Sequence, residues 1–334
     1  MPKLNLLINL APSFFVAPVL EPVWERLSQF SEIRRGSHNT AEEFAPDLAW
    51  ADAVLMWAWP TWTPALLDQA PRLRFSGHLD ISQAGARVAL DHGLPVSVVR
   101  RAFSPAVSEM ALSLILTCLR KTSHYHMAMR DGKEAWVEDF PGDIDPDERQ
   151  LSGRPVGIVG FGGVGQGLAS LLAPFGCPLR VYDPFLPENI AAKFGAQRVE
   201  LAELLRQSEI VVLCAASNEG TRKLLGAAEI ALLRPKSVLV NVARAALVDT
   251  DALIARLRQN DLYAALDVFD VEPLSLDSPL RKLPNAFLTP HRAGGLLSSV
   301  ERLLTSLADD LEAYFEDRPR AYALTEAMLP SLDR

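Results

Sequence analysis

An α/β protein built on doubly wound parallel sheets is the fold this sequence predicts, and three observations predict it. Short apolar runs alternate with stretches of helical spacing along most of the chain, the pattern of parallel strands joined by crossover helices. The chain has 334 residues, more than one compact core usually serves, so two domains are expected. A glycine loop, Gly160-Phe161-Gly162-Gly163-Val164-Gly165, stands between an apolar run and a helical run. That is where a doubly wound sheet carries a phosphate-binding turn.

In chain order, residues 4–10 read as a buried strand and 19–30 as a helix. Lys3 and the apolar run after it loosely mimic a signal peptide, but Asn5, Asn9 and Pro12 interrupt the run and no clean cleavage site follows. Strands are expected at 53–58, 73–77 and 96–99. Residues 104–130 read as one long helix, opened by Ser104-Pro105. Its Met110, Leu112, Leu114, Ile115, Leu116 and Leu119 cover nearly all sides, so it should be buried. Residues 136–149 are acidic and carry Pro141, Gly142 and Pro146, which reads as a surface loop. A second series follows, with strands at Val156–Val159, Leu179–Tyr182, Ile210–Leu213, 237–242, 263–268 and Ala286–Leu288. A final amphipathic helix is expected at 298–315.

Composition narrows the function classes. Charged residues make up 22% of the chain and the formal net charge is −8, which argues against nucleic acid or an anionic membrane surface as partner. No uninterrupted apolar run is long enough to span a bilayer. Cys118, Cys177 and Cys214 lie in apolar stretches and form no metal-type cluster. Neither a metal nor a disulfide framework is expected, and a reducing cytoplasm fits.

The parts around the glycine loop have physical tasks. Gly160 permits a tight turn, Gly162 lets the backbone approach a pyrophosphate, and Gly165 lets the helix pack close to the strand. The helix N-terminus offers free N–H groups to phosphates. Asp183 ends the next strand, where it can accept hydrogen bonds from both hydroxyls of an adenosine ribose. A 2′-phosphate there would face a carboxylate, so NAD is the expected cofactor. The alternative is a structural glycine turn with a capping aspartate.

Three polar motifs stand where later strands should end: Asn241-Val242-Ala243-Arg244, Asp267-Val268-Phe269-Asp270-Val271-Glu272-Pro273 and Thr289-Pro290-His291-Arg292-Ala293-Gly294-Gly295. Taken singly, Arg244 reads equally as a surface charge, Glu272 as a loop acid and His291 as a satisfied loop histidine. Together they suit hydride transfer to a ketone, which leaves negative charge on the carbonyl oxygen. His291 could supply the proton. Glu272 would hold the ring's orientation and balance its charge, and Arg244 could bind a substrate carboxylate and polarise the carbonyl.

With these four motifs in this order, the chain resembles the NAD-dependent D-isomer-specific 2-hydroxyacid dehydrogenases. The resemblance is strongest over residues 160–294 and extends more weakly through Pro71-Arg72-Leu73 and Val107-Ser108-Glu109-Met110-Ala111. It implies a Rossmann-type NAD-binding domain, residues 103–297, inserted into a flavodoxin-like substrate domain, residues 1–102 and 298–334. It implies interconversion of a 2-keto acid and a D-2-hydroxy acid by a homodimer joined through the NAD-binding domain. By the same resemblance Arg244 binds carboxylate and carbonyl, while His291 with Glu272 forms the proton-transfer pair. Asp267 holds the nicotinamide carboxamide, Gly163 and Val164 meet the pyrophosphate, and Ala243, His291 and Gly294 stand beside the cofactor.

The sequence departs from the family's pattern after the strand at 73–76, at Ala245 and at Cys214-Ala215-Ala216-Ser217-Asn218, which replaces a proline- and threonine-bearing turn near the nicotinamide. A glycine-rich loop normally follows the strand at 73–76 and helps to hold the substrate carboxylate. Here the segment reads Gly77-His78-Leu79-Asp80-Ile81-Ser82, without the usual glycine pair. His78 and Leu79 are its substrate-side candidates, with a structural histidine as the alternative. Ala245 replaces a glycine after Arg244, so the backbone there must avoid a left-handed conformation or accept strain. Trp57, Trp59 and Trp62 cluster after the strand at 53–58, either as packing or as an aromatic wall for the substrate side chain, with Trp57 the binding candidate. Two further readings remain: an NAD(H)-sensing binding protein with little turnover, and a dehydrogenase of formate or phosphite, from which the tryptophans point away.

Overall fold

The computed structural model describes residues 3–99 and 101–332. The chain divides into two compact units, Met1–Phe103 with Leu296–Arg334, and Ser104–Gly295. The first unit holds a five-stranded parallel sheet of β1 (Leu4–Asn9), β2 (Ser31–Gly36), β3 (Ala53–Met56), β4 (Phe75–His78) and β5 (Val96–Val98). Its order is β2-β1-β3-β4-β5, so the winding direction reverses between β1 and β3. The second unit holds β6 (Val156–Val159), β7 (Leu179–Tyr182), β8 (Ala196–Arg198), β9 (Ile210–Leu213), β10 (Ser237–Asn241), β11 (Leu262–Leu266) and β12 (Ala286–Leu288). The order β12-β11-β10-β9-β6-β7-β8 reverses between β6 and β9. Both sheets are α/β and doubly wound, and the second has Rossmann topology.

The strands form where apolar runs can be buried on both faces. In β9 and β10 alternate side chains face opposite layers. Val212, Val238 and Val240 join the core under the helices Ser104–Arg120 and Gly163–Leu172. Val211, Leu213 and Leu239 join the core with Leu204, Ile230 and Leu253 on the other side. In the first unit, the helix Leu297–Phe315 packs Leu303, Leu304, Leu307 and Leu311 against Leu6, Ile8 and Leu55. Each of these four leucines is fully buried and contributes on the order of 2 kcal/mol. The buried Asp310 of this helix accepts from Ser97 Oγ at 2.7 Å and from the Ala321 and Tyr322 amides at 2.7 and 2.9 Å. That carboxylate ties the C-terminal segment to β5.

The structure adds two strands and divides one expected helix. The strand β2, Ser-Glu-Ile-Arg-Arg-Gly, and the three-residue β8 lie at sheet edges. An edge strand needs no continuous apolar run, so neither stood out in the sequence. The expected helix 104–130 is two helices, Ser104–Arg120 and Thr122–Asp131. Lys121 between them takes a left-handed φ of 47°. The Arg149 amide caps the Leu119 carbonyl at 2.9 Å, and Lys121 pairs with Asp145 at 2.5 Å, so the returning chain ends the first helix. The second helix buries no residue. Among the described residues no helix is long and apolar enough to cross a membrane. The three cysteines are free, and burial pushes the Cys214 thiol up to about 12.

Candidate active site

The glycine loop leaves β6 at the point where the sheet order reverses, the usual ligand crevice of an open α/β sheet. Gly160 has φ 87°, and a Cβ there would run into the Ala215 backbone, which follows β9. Only glycine fits that turn. A Cβ at Gly165 would strike the Gly160 carbonyl, so the helix packs against its own entry loop. Nothing lies within 4 Å of where a Cβ on Gly162 would stand. The ten-residue helix Gly163–Leu172 starts here with Gly162 as its cap, and no cap side chain covers its first amides. The N–H groups of Gly163, Val164 and Gly165 therefore have no intrahelical partner. This bare, open N-terminus fits a pyrophosphate. Asp183 follows β7. It accepts from the Phe161 amide at 2.9 Å through Oδ2 and from the Phe185 amide at 3.0 Å through Oδ1. The acid thus braces the loop, and each oxygen keeps a further lone pair for a ribose hydroxyl.

Arg244 stands just past the end of β10, with an exposed side chain. Its φ of −145° and ψ of 145° are extended, and Ala245–Leu247 then turns as a short 3-10 helix. Ala245 is not among the positive-φ residues, so the missing glycine causes no strain. Asn241 sets this turn. Its Oδ1 accepts from the Ala243 amide at 3.0 Å and its Nδ2 donates to the Arg244 carbonyl at 2.9 Å. Sequence reading named the motif and missed this task, although asparagine bonding two residues ahead is a known turn signal. The Arg244 guanidinium donates to the Ala243 carbonyl at 2.8 Å, which leaves its other N–H groups free for a ligand.

His291 Nδ1 lies 2.7 Å from Glu272 Oε2. The other oxygen of Glu272 accepts from the Phe269 amide at 3.0 Å. The hydrogen bond from His291 holds the Glu272 carboxyl below its usual range, with Arg244 among the charges that add to the effect. An ionised carboxylate only accepts, so Nδ1 carries the proton and Nε2 is left open to the surroundings. His291, Glu272 and Arg244 come from segments that follow β12, β11 and β10, three neighbouring strands of one sheet.

Asp267, expected from the resemblance to hold the nicotinamide carboxamide, braces the loop that carries His291. It is fully buried. Its Oδ1 accepts from Thr289 Oγ1 at 2.5 Å and the Arg292 amide at 2.9 Å, and its Oδ2 from the Ala293 amide at 2.8 Å. The carboxylate grips the chain on both sides of His291, which adopts φ 51°. A left-handed conformation is costly for a residue with a Cβ and persists only where the surroundings impose it. Asp267→Ala would leave three donors without a partner. It should cost about 3 kcal/mol or more in stability, measured by urea unfolding. A loss under about 0.5 kcal/mol, the size of a neutral surface change, would refute the grip.

The sequence profile described as "D-isomer specific 2-hydroxyacid dehydrogenase, NAD binding domain" matches residues 112–293, more than half of the chain. The chain belongs to the D-isomer specific 2-hydroxyacid dehydrogenase family. It is 30% identical over 261 residues to a glyoxylate reductase of Aeropyrum pernix, covering 76% of each chain. It is 26% identical over 300 residues to a D-3-phosphoglycerate dehydrogenase of Methanocaldococcus jannaschii, covering 88% of this chain but only 56% of that one. The chain thus spans little more than half of that relative's length. The crystal structure of a phosphoglycerate oxidoreductase from Rhizobium etli matches with a TM-score of 0.80 and 25% identity, over 96% of this chain and 98% of that one. Membership places the protein among NAD-dependent oxidoreductases of 2-hydroxy acids.

The first unit of this dehydrogenase corrects the substrate-side expectations. His78 is 1% exposed and has no free ring nitrogen. Its Nε2 accepts from Trp62 Nε1 at 2.9 Å and from Ser76 Oγ at 2.6 Å, while Nδ1 meets the Trp57 carbonyl at 3.2 Å. Burial pushes the imidazole down to about 4, so it is neutral at physiological pH. The Leu79 side chain is buried in the core, and its amide donates to the Met56 carbonyl at 2.9 Å. Neither residue is free to bind a substrate, because each satisfies its own sheet. Trp62 is also core, 2% exposed, whereas Trp57 is half-buried and Trp59 exposed.

Proposed function

We propose that this dehydrogenase interconverts a 2-keto acid and a D-2-hydroxy acid, with His291 and Glu272 as the proton-transfer pair and Arg244 as the carboxylate and carbonyl anchor. The observation that carries this reading is the 2.7 Å contact between His291 Nδ1 and Glu272 Oε2, on the same sheet edge as an exposed guanidinium. When bound at the glycine loop, the nicotinamide cofactor would supply the hydride that reduces the carbonyl carbon, or take it up in the reverse direction. The amides of Gly163, Val164 and Gly165 hold the pyrophosphate, and Asp183 takes the adenosine ribose. Ala243, His291 and Gly294 are the residues that would stand beside the nicotinamide. Arg244 binds the substrate carboxylate through its free N–H groups and draws charge onto the carbonyl oxygen. His291 Nε2 gives that oxygen a proton in reduction and removes it in oxidation. Glu272 fixes the ring through Nδ1.

Purified protein should oxidise NADH in the presence of a 2-keto acid, followed at the NADH absorbance across a panel from glyoxylate to phenylpyruvate. Cofactor binding with no turnover on any acid would sink the proposal. An NAD(H)-sensing role without turnover is not favoured, since a sensor needs neither the acid pair nor the anchor.

The quaternary state we infer is a homodimer joined through the second unit. The helix Thr122–Asp131 and the segment after it expose Met127, Met129, Trp136, Val137 and Phe140. So many large apolar side chains in about fifteen residues exceed what a solvated surface usually carries. Light scattering should give a dimer, and Trp136→Glu with Phe140→Glu should give a monomer. A monomeric native protein would end the inference.

A further inference from the structure

Ligands of open α/β sheets bind beyond the carboxyl ends of the strands, yet the first unit also has a cavity at the opposite strand ends. Its volume is about 360 Å³, within the range of small-molecule sites. Arg74 directly precedes β4 and Pro95 directly precedes β5. His92 is the C-cap of the helix Gln83–Asp91, and Tyr314 is the last residue but one of the helix Leu297–Phe315. All four line the cavity, and Leu67, Leu73 and Leu94 supply apolar wall. None of these residues takes part in the reaction proposed above.

The fold leaves the polar groups of this cavity under-used. The Arg74 guanidinium lies over the Phe315 ring, 4.7 Å from its centroid. It forms no hydrogen bond or ion pair with any described residue. Arg72, two residues earlier, pairs with Asp52 at 3.0 Å, so an unpaired cation is not the rule in this segment. A guanidinium stacked on an aromatic face keeps its N–H edge, which can grip a carboxylate through two parallel hydrogen bonds. The Tyr314 ring is fixed between Phe75 and Phe315, with centroids 5.4 and 5.0 Å away. Its hydroxyl has no partner among the described residues. His92 Nδ1 lies 2.8 Å from the Val88 carbonyl. A carbonyl only accepts, so Nδ1 carries a proton, and Nε2 of the neutral ring is an acceptor. The cavity thus sets a cationic fork, a hydroxyl and a ring-nitrogen acceptor beside aliphatic surface.

We propose that this cavity is a second ligand site, for a small carboxylate that also carries an O–H or N–H donor and a short apolar chain. Arg74 takes the carboxylate, with Tyr314 donating to it. His92 Nε2 accepts from the ligand's donor, and the leucines cover the chain. Two kinds of molecule share that chemistry, a 2-hydroxy acid and a 2-amino acid. No bond is made or broken. The site lies wholly within the first unit and does not depend on the roles given to His291 and Arg244.

Isothermal titration of the full-length protein without cofactor tests this with leucine, 2-hydroxy-4-methylpentanoate, 4-methylpentanoate and 4-methylpentan-1-ol. At least one of the first two should bind, and the pair shows which source supplies the donor. Removing the donor, as in 4-methylpentanoate, or the charge, as in the alcohol, should weaken binding by about tenfold or more, the scale of one hydrogen bond to a charged group. Arg74→Gln and His92→Ala should each weaken it by a similar factor, whereas Arg244→Ala should leave it unchanged. Both Arg74 and His92 are exposed, and if one variant does not fold the other carries the comparison. No binding of either acid overturns the inference. So does binding that survives both cavity variants, binding that Arg244→Ala removes, or 4-methylpentanoate binding as tightly as the other acids. The dehydrogenase reading stands in each of those cases, because it rests on turnover.

Discussion

His291→Asn is expected to lower kcat for keto-acid reduction by roughly 10²–10⁴-fold, the usual contribution of a positioned general acid. Asparagine is chosen over alanine because of the backbone. His291 sits at φ 51°, which asparagine tolerates better than most residues with a Cβ. The loop held by Asp267 should then keep its course, so the loss reports chemistry and not collapse. NADH affinity, read by nucleotide fluorescence, should change far less than kcat. The pH dependence has a definite sign. The Glu272 carboxyl is held below its usual range by the His291 hydrogen bond, so the pair persists as pH falls until that lowered value is crossed, and only then is it lost. Reduction should therefore survive into mildly acidic solution. Turnover by His291→Asn within a factor of about three of the native rate, far short of a general acid's share, would exclude His291 as the proton donor.

Arg244→Ala is expected to lower kcat/KM for the keto acid by about 10²–10³-fold, the scale of losing one charged group at a developing oxyanion. Both constants should move. KM rises because the carboxylate loses its partner, and kcat falls because the carbonyl is no longer polarised. Arg244→Lys separates charge from shape. Lysine keeps a positive point but loses the planar fork, so it should recover only part of the loss. Asn241 braces the Arg244 backbone at 2.9 Å, and that brace uses no atom of the guanidinium, so the turn should survive both substitutions. Steady-state kinetics with a single keto acid checks the result. If Arg244→Ala kept a native KM and kcat, the substrate carboxylate would have to be held elsewhere.

Much of this was legible in one dimension. The glycine loop, Asp183 and the three polar motifs each follow an apolar run that became a strand of the second unit's sheet, and short-range order of that kind is written in spacing. Reading faltered where a residue's role depends on distant neighbours. The break at Lys121 follows from Arg149 capping Leu119 from thirty residues away. Such a cap leaves no mark in local periodicity. Edge strands β2 and β8 carry too little apolar surface to announce themselves.

The sequence by itself determined the α/β class, the NAD loop and the identity of the three polar side chains, because strand periodicity and the turn glycines are local requirements. Only the tertiary structure decided which polar groups stay exposed and which are buried in service of the fold. Asp267 and His78 are both buried and bonded to distant segments, one gripping the His291 loop and the other the Trp57 carbonyl. The physical reason is desolvation. A buried polar group must find partners inside the protein, and those partners come from strands and loops that the linear order keeps apart.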